Sequence, residues 1–287
     1  MNDPDPTGNS TPRGIRGLTS APDPLGEKTK QGKTAIGLFI NDPDMVELCG
    51  YIGFDWFMID QMYSANDWGR TQHLIRAGEA AGMTPVVRVH SNPWLGDDPH
   101  VPAEVARALA LGARYVLVSN RGRRDIEMCI QAIHDWHRRV MVLNPFVGLS
   151  AVEVERQMRQ IADETFVIPQ PEARSALDEA LETLAIPEVR MLFVATGDAS
   201  RELSDNSSWD WYDAKLWALI ESLVEAGKRK GAVIGASTAS GGDLAELARR
   251  VERLHRTGVQ MILIQGAPYL FQIAIGKFVR ELKSVLQ

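Results

Sequence analysis

Two acids close consecutive apolar runs in this 287-residue chain. Glu172 ends "TFVIPQPE" and Asp198 ends "RMLFVATGD". Neighbouring parallel strands lie about 4.8 Å apart, so two carboxylates at their ends would repel. One stays protonated unless a cation sits between them. Two carboxylates completed by waters or substrate oxygens suit Mg²⁺ or Mn²⁺. The plainer alternative is a pair of helix caps or surface acids just past the strands. In "TGD" (196–198), Gly197 lets the backbone approach a ligand closely, so the N–H groups of Gly197 and Asp198 could bind a substrate carboxylate.

Other polar residues end other apolar runs. Asp60 ends "DWFMID", with Tyr63 three residues on. Arg88 and His90 close "PVVRVH", two apart and so pointing the same way on a strand. A cation on a strand end is costly unless paired. Arg88 could hold a substrate carboxylate or keto oxygen, or form an ion pair with an acid of the fold. Gln170 stands two before Glu172, and Ser237 and Thr238 end "GAVIGAST". Arg121, Arg123 and Arg124 could take a second carboxylate, or be a solvated helix start, where cations are unfavourable. Trp68, Trp94, Trp209 and Trp211 suit a bulky or aromatic substrate portion; the dense "SSWDWYDAKLW" (207–217) equally suits packing within the chain or on another subunit.

These residues need a frame. From residue 35 short apolar runs alternate with helical patterns, and near-continuous apolar strands between helices mean a parallel sheet covered by helices. Nine runs qualify: 35–40, 55–60, 85–90, 114–119, 139–144, 165–172, 190–198, 231–237 and 260–266. The weakest, 139–144, is expected to be an accessory strand or arm. The other eight predict a (β/α)8 TIM barrel, with an open doubly wound sheet as the alternative. In a barrel the polar strand ends listed above would all meet at one mouth. Residues 1–31, rich in Pro, Gly, Asp, Ser and Thr, read as a mobile tail, and 32–287 as a single domain. The tail lacks the pattern of a secretory signal.

Composition narrows the function classes. The net charge of −6 and the lack of a basic run beyond "RGRR" argue against nucleic acid, and no apolar stretch is long enough to span a membrane. Cys49 and Cys129 sit in apolar helical patterns and read as buried free thiols in a reducing cytoplasm, so the protein is expected to be cytoplasmic.

The order "DWFMID", "TPVVRVH", "GARYVLVS", "PQPEARSALDEAL", "MLFVATGDAS" and "EAGKRKGAVIG", across residues 34–286, resembles the HpcH/HpaI aldolase family. The resemblance implies a (β/α)8 barrel in dimers that exchange the last helix, within a homo-oligomer as large as a hexamer. It implies a divalent metal, Mg²⁺ or Mn²⁺ with Co²⁺ as a further candidate, held by Glu172 and Asp198, with Gln170 beside it. Arg88 takes the place of an enolate-stabilising arginine, and the Gly197 and Asp198 amides hold the carboxylate of a 2-oxo acid. The implied reaction is aldol-type cleavage of a carbon–carbon bond.

The chain departs from that pattern at its second strand. The family follows this strand with Gly-Glu-His, whose histidine is a general base oriented by the strand's aspartate; here Gln61, Met62 and Tyr63 follow Asp60. A tyrosine with an ordinary pKa near 10 is a poor base at neutral pH but a good proton or hydrogen-bond donor. His90 could serve instead, or be a hydrogen-bonded wall. The sequence further differs in "PQPE", in Trp94 of "RVHSNPW", and in the basic "SNRGRR", which offers Arg121 as a substrate contact. The expectation is a metal-dependent carbon–carbon lyase whose catalytic group comprises Arg88, Tyr63, Asp60 and His90. Its alternatives are decarboxylation, enolate addition or C–C hydrolysis on a 2-oxo acid, or a catalytically silent binding barrel.

Overall fold

Eight of the nine apolar runs form strands: β1 Ala35–Phe39, β2 Trp56–Asp60, β3 Thr84–Arg88, β4 Tyr115–Asn120, β5 Phe166–Pro171, β6 Met191–Val194, β7 Val233–Ser237 and β8 Met261–Gly266. The structure, a computed structural model, describes residues 22–92, 94, 100–120, 122–139, 152, 155–156, 159, 163–204, 207–239 and 241–286. The ninth run, 139–144, lies outside these residues except for Arg139, which ends a helix.

Between the strands run α1 Pro24–Lys30, α2 Pro43–Ile52, α3 Trp68–Ala81, α4 Val101–Ala110, α5 Arg123–Arg139, α6 Arg174–Asp178, α7 Ala180–Ala185, α8 Thr196–Leu203, α9 Ala214–Lys230, α10 Leu244–Thr257 and α11 Ala267–Val285. Punctuation is local and explicit. Asp42, Asp67, Asp213 and Asp243 cap α2, α3, α9 and α10, each accepting an orphan N–H of the first turn. Each of these helices ends on a left-handed glycine, such as Gly53 at φ 107°. A crossover carrying at least one helix after each strand then brings the next strand back in parallel.

The ladder order is β5-β4-β3-β2-β1-β8-β7-β6, all parallel, and the edges β5 and β6 face each other to make a nearly closed barrel. This is the (β/α)8 TIM barrel the sequence predicts. The β5–β6 seam has no ladder between the described residues, and the cause lies in β5. Phe166 donates its N–H to Arg114 O on the β4 side (2.8 Å). Backbone N–H groups alternate along a strand, so positions 167, 169 and 171 face β6. Two of those three are Pro169 and Pro171, which have no N–H to give.

Side chains alternate as well and make two cores. Outward residues such as Phe57, Ile59, Val87 and Val116 pack under the helices. Inward residues Trp56, Met58, Val86, Tyr115, Leu117, Ile168, Met191, Phe193, Met261 and Leu263 fill the barrel. Trp56 and Phe193 meet edge to face at 6.4 Å. A Cβ on Gly37 would lie 2.3 Å from the Trp56 ring, so the indole fits only because β1 has no side chain there.

The reading of residues 1–31 as a mobile tail is corrected at its C-terminal part. Pro24–Lys30 is helix α1, and Leu25 is fully buried in the inner core. Asp23 fixes the helix to the barrel: its carboxylate accepts from Gly26 N (3.1 Å), Thr84 Oγ1 (3.0 Å) and Tyr115 OH (2.8 Å), and pairs with Arg114 at 3.2 Å. Lys28 pairs with Asp55 at 2.6 Å. One leucine among prolines and acids gives no periodic signal; long-range partners order this turn.

Cys49 and Cys129 are buried and free. Among the described residues no helix is long and apolar enough to cross a membrane. On α11 the apolar residues Phe271, Ile275, Phe278, Val279 and Leu282 are exposed.

Candidate active site

The site forms where strands end. Asp60 and Arg88 are the last residues of β2 and β3 and lie opposite each other in the ladder. Their alternation with Met58 and Val86 turns both side chains inward. Arg88 Nε and Nη2 donate to the two Asp60 oxygens at 2.9 and 2.7 Å, a buried two-pronged pair. Asp60 Oδ1 also accepts from Met62 N (2.8 Å) and Tyr63 N (3.4 Å), so the same carboxylate shapes the turn that carries Tyr63. The guanidinium lies 5.2 Å from the Tyr63 ring centroid and 5.6 Å from that of Phe39.

Arg88 Nη1 stands 3.7 Å from Glu172 Oε1. Gln170 Nε2 donates to that same carboxylate oxygen and to Ser119 Oγ (3.3 Å). The other oxygen, Glu172 Oε2, is buried with no hydrogen-bond partner. Burial, with a smaller contribution from the negative charge of Asp198, pushes the Glu172 carboxyl up to about 7, against Arg88, Gln170 and Ser119. Asp198 is in the first turn of α8, and burial raises its pKa too, against Arg201 and Arg88. A carboxylate oxygen with no donor is expensive to bury.

The start of α8 is open. Ala195 offers no side-chain cap, and a Cβ on Gly197 would meet nothing within 4 Å. Thr196 N is satisfied by Ser237 Oγ (3.1 Å), and Thr196 Oγ1 donates to Ser237 O (2.9 Å). The Gly197 N–H, in the first turn, has no acceptor within the helix.

Tyr63 is 63% exposed, yet its surroundings push its phenol up to about 12. Partial burial contributes most, then the charge of Glu172, with Arg88 opposing. It is therefore protonated at neutral pH.

The structure thus gathers Asp60, Tyr63, Arg88, Gln170, Glu172, Gly197 and Asp198. It does not gather all the expected residues. His90 lies past the end of β3 and is exposed, and no hydrogen bond or ion pair joins it to another described residue. Trp94 is exposed, its N–H held by Asn92 Oδ1 (3.3 Å), and makes no described contact with the cluster. Arg121 lies outside the described residues. Its neighbour Arg123 is exposed and pairs with Glu127 at 2.7 Å, an ordinary helix-face pair. Trp211 packs within the chain, against Trp217 and beside Arg250 and Arg253.

Two members were missed by sequence reasoning. Ser119 is signalled by alternation, two residues after inward Leu117. Phe39 ends the first strand and reads as core until Arg88 is seen over it.

The donor set fits a hard divalent cation. Among the described residues no three His, Cys, Asp or Glu side chains cluster, so protein would supply two carboxylates and leave the remaining positions to water and substrate oxygens. The orphaned Glu172 Oε2 and the raised pKa of both acids are what such a pair shows before a cation neutralises it.

Comparison with known proteins adds the following. Residues 35–266 match the model of the family described as HpcH/HpaI aldolase/citrate lyase. The 2-keto-3-deoxy-L-rhamnonate aldolase of Escherichia coli (strain K12) is 24% identical over 229 residues, 72% of this chain and 78% of that protein. A solved HpcH/HpaI aldolase/citrate lyase family protein from Burkholderia cenocepacia J2315 superposes with a TM-score of 0.70 at 22% identity, covering 90% of this chain and 99% of that one. The solved citrate synthase SbnG gives 0.67 at 22% identity, with 91% and 95% coverage. At such identities the structural likeness speaks for the fold.

Proposed function

The chain belongs to the HpcH/HpaI aldolase/citrate lyase family, and from that premise we propose that it is a carbon–carbon lyase of aldolase type, acting on a 2-oxo acid or its aldol adduct. The observation that carries the metal-dependent form of this reading is the fully buried, unpartnered Glu172 Oε2, on the carboxylate whose other oxygen stands 3.7 Å from Arg88. Glu172 and Asp198 would hold a divalent cation, Mg²⁺, Mn²⁺ or Co²⁺, which when bound supplies Lewis acidity to the keto oxygen.

The chain's own groups do the rest. Gln170 and Ser119 fix the Glu172 carboxylate in one orientation. Asp60 holds Arg88 so that its remaining N–H groups face the mouth, where negative charge grows on the 2-oxo acid's oxygen. The open N–H of Gly197, with that of Asp198, receives the substrate carboxylate. Tyr63, protonated at neutral pH, donates a hydrogen bond or a proton at the mouth and does not act as the base. The proton of an aldol hydroxyl passes to water, since no histidine contacts this cluster among the described residues. His90, Trp94 and Arg121 take no step in this scheme.

One observation favours a second reading. With a tyrosine pushed up to about 12 where a base would stand, the site suits a C–C cleavage that needs no base: loss of CO₂ from a 2-oxo diacid, followed by proton return from Tyr63. The exposed apolar face of α11 supports a homo-oligomer in which a second copy covers this helix, the exchanged helix of a dimer included.

The test is release of a 2-oxo acid from a panel of aldol adducts and 2-oxo diacids after chelation and after return of Mg²⁺, Mn²⁺ or Co²⁺. Activity is expected to vanish with chelator, return with metal, and be lost in Glu172→Gln. Full activity of Glu172→Gln would overturn the metal assignment. CO₂ release without cleavage of any aldol adduct would select the second reading.

A further inference from the structure

One sizeable cavity lies away from the mouth. About 590 Å³ of space lies at the opposite end of the barrel, within the ~300–1,000 Å³ range of small-ligand sites. Its walls include the first residues of β4, β5, β6 and β7, namely Tyr115, Phe166, Met191 and Val233, which puts it on the N-terminal face. Helix α1 supplies another wall through Gly26, Thr29 and Lys30. The filled inner core, with Trp56 and Phe193, separates it from Arg88 and Glu172.

Its charge is one-sided. Lys30, Arg190, Lys228 and His255 line it, and no Asp or Glu does. Lys30, Arg190 and Lys228 come from three separate segments, and none forms an ion pair with a described carboxylate. Arg190 lies 5.2 Å from the Phe166 ring centroid, and Phe166 stacks on Tyr115 at 5.1 Å and 11°. A Cβ on Gly258 would lie 3.2 Å from Lys228 Nζ, so the bare glycine backbone is what leaves the ammonium its place there. Lys230, two residues on, shows the contrast. Its ammonium is engaged by the carbonyls of Leu184, Ile186 and Val189, whereas that of Lys228 is not. The floor is apolar, made of Met191, Val233, Ile234 and Val259.

We propose that this N-terminal cavity is a second binding site, for a small organic phosphate with an apolar or aromatic body. The apolar floor and the Phe166–Tyr115 stack receive the body, and Arg190, Lys228 and Lys30 receive the dianionic head. A guanidinium presents paired N–H groups that match phosphate oxygens. Catalysis in this architecture occupies the other face, so an occupant here acts on the protein's stability or assembly and not as substrate.

Phenyl phosphate is the probe, titrated calorimetrically into the full-length chain, with inorganic phosphate as the comparison. Phenyl phosphate is expected to bind more tightly than inorganic phosphate, and Arg190→Ser combined with Lys228→Ser to weaken it by about tenfold or more. Arg88→Lys, at the mouth, is expected to leave that affinity unchanged. Circular dichroism and Tm check that each variant is folded; Lys228→Ser alone, at an exposed position, serves if the double variant is not. The proposal is overturned if phenyl phosphate does not bind, if it binds no better than inorganic phosphate, if the variants in the cavity bind as wild type, or if Arg88→Lys abolishes binding.

Discussion

Arg88 commits two N–H groups to Asp60 and turns a third toward Glu172. Arg88→Lys keeps the charge but cannot hold both Asp60 oxygens in the same fork. It is expected to lower kcat/KM for a 2-oxo acid substrate by about 10²-fold, read by steady-state kinetics. Glu172 sets a pH dependence. Its carboxyl, pushed up to about 7 by burial without a cation, must lose a proton to bind one. Affinity for Mn²⁺ is thus expected to be level above about pH 7 and to fall about tenfold per unit below it, as protons compete; titration at pH 6 and pH 8 checks the sign. Tyr63→Phe keeps the ring beside Arg88 and removes only the hydroxyl. It is expected to lower kcat by about 10²-fold with little change in KM if the phenol delivers a proton; an unchanged kcat sinks that role. At this scale the sequence was informative where charge stood alone on or just past an apolar strand: Asp60 and Arg88 end β2 and β3, Glu172 follows β5, and Asp198, expected to end a strand, falls in the first turn of α8. His90 lies past the end of β3 and is exposed, so its place depends on the loop that follows and not on the strand. The sequence also could not show that Asp60 grips Arg88, since that pairing depends on the register of two strands.

Among elements, α1 and the β5–β6 seam have causes of different visibility. The seam is written in "PQPE": two residues without N–H at positions facing β6. The prolines stand out in the sequence, but which edge they spoil follows only from knowing that Phe166 bonds to the β4 side. Helix α1 has almost no local signal, being seven residues long with one buried leucine. Its order comes from Asp23 meeting Thr84 and Tyr115, partners 61 and 92 residues away in the chain. Leu25→Ala empties a fully buried position in the inner core. It is expected to cost about 2–5 kcal/mol in urea unfolding, without moving the groups at the mouth. A cost near zero would show that α1 does not stay docked in solution.

For the molecule as a whole, the eight-fold alternation of runs and helices was enough to give the barrel, because the strands are largely buried on both faces and four of the helices, α2, α3, α9 and α10, are bracketed by Asp and Gly. Assembly is less legible, since an apolar helix face looks the same whether it packs inside or on a second copy. Phe271, Ile275, Phe278 and Leu282 share one side of α11 and are exposed. Phe271→Asp with Phe278→Asp is expected to shift sedimentation from an oligomer to a monomer; an unchanged mass would remove α11 from the interface. The plug formed by Leu25 and the packed interior bears on the order of events during turnover. A barrel stopped at one end has a single doorway, so two fragments cut from one molecule leave the way it came, one after the other. On the proposed reading, the fragment held by Arg88 and the α8 amides would depart last, and that fragment, a 2-oxo acid, is expected to act as the competitive product inhibitor.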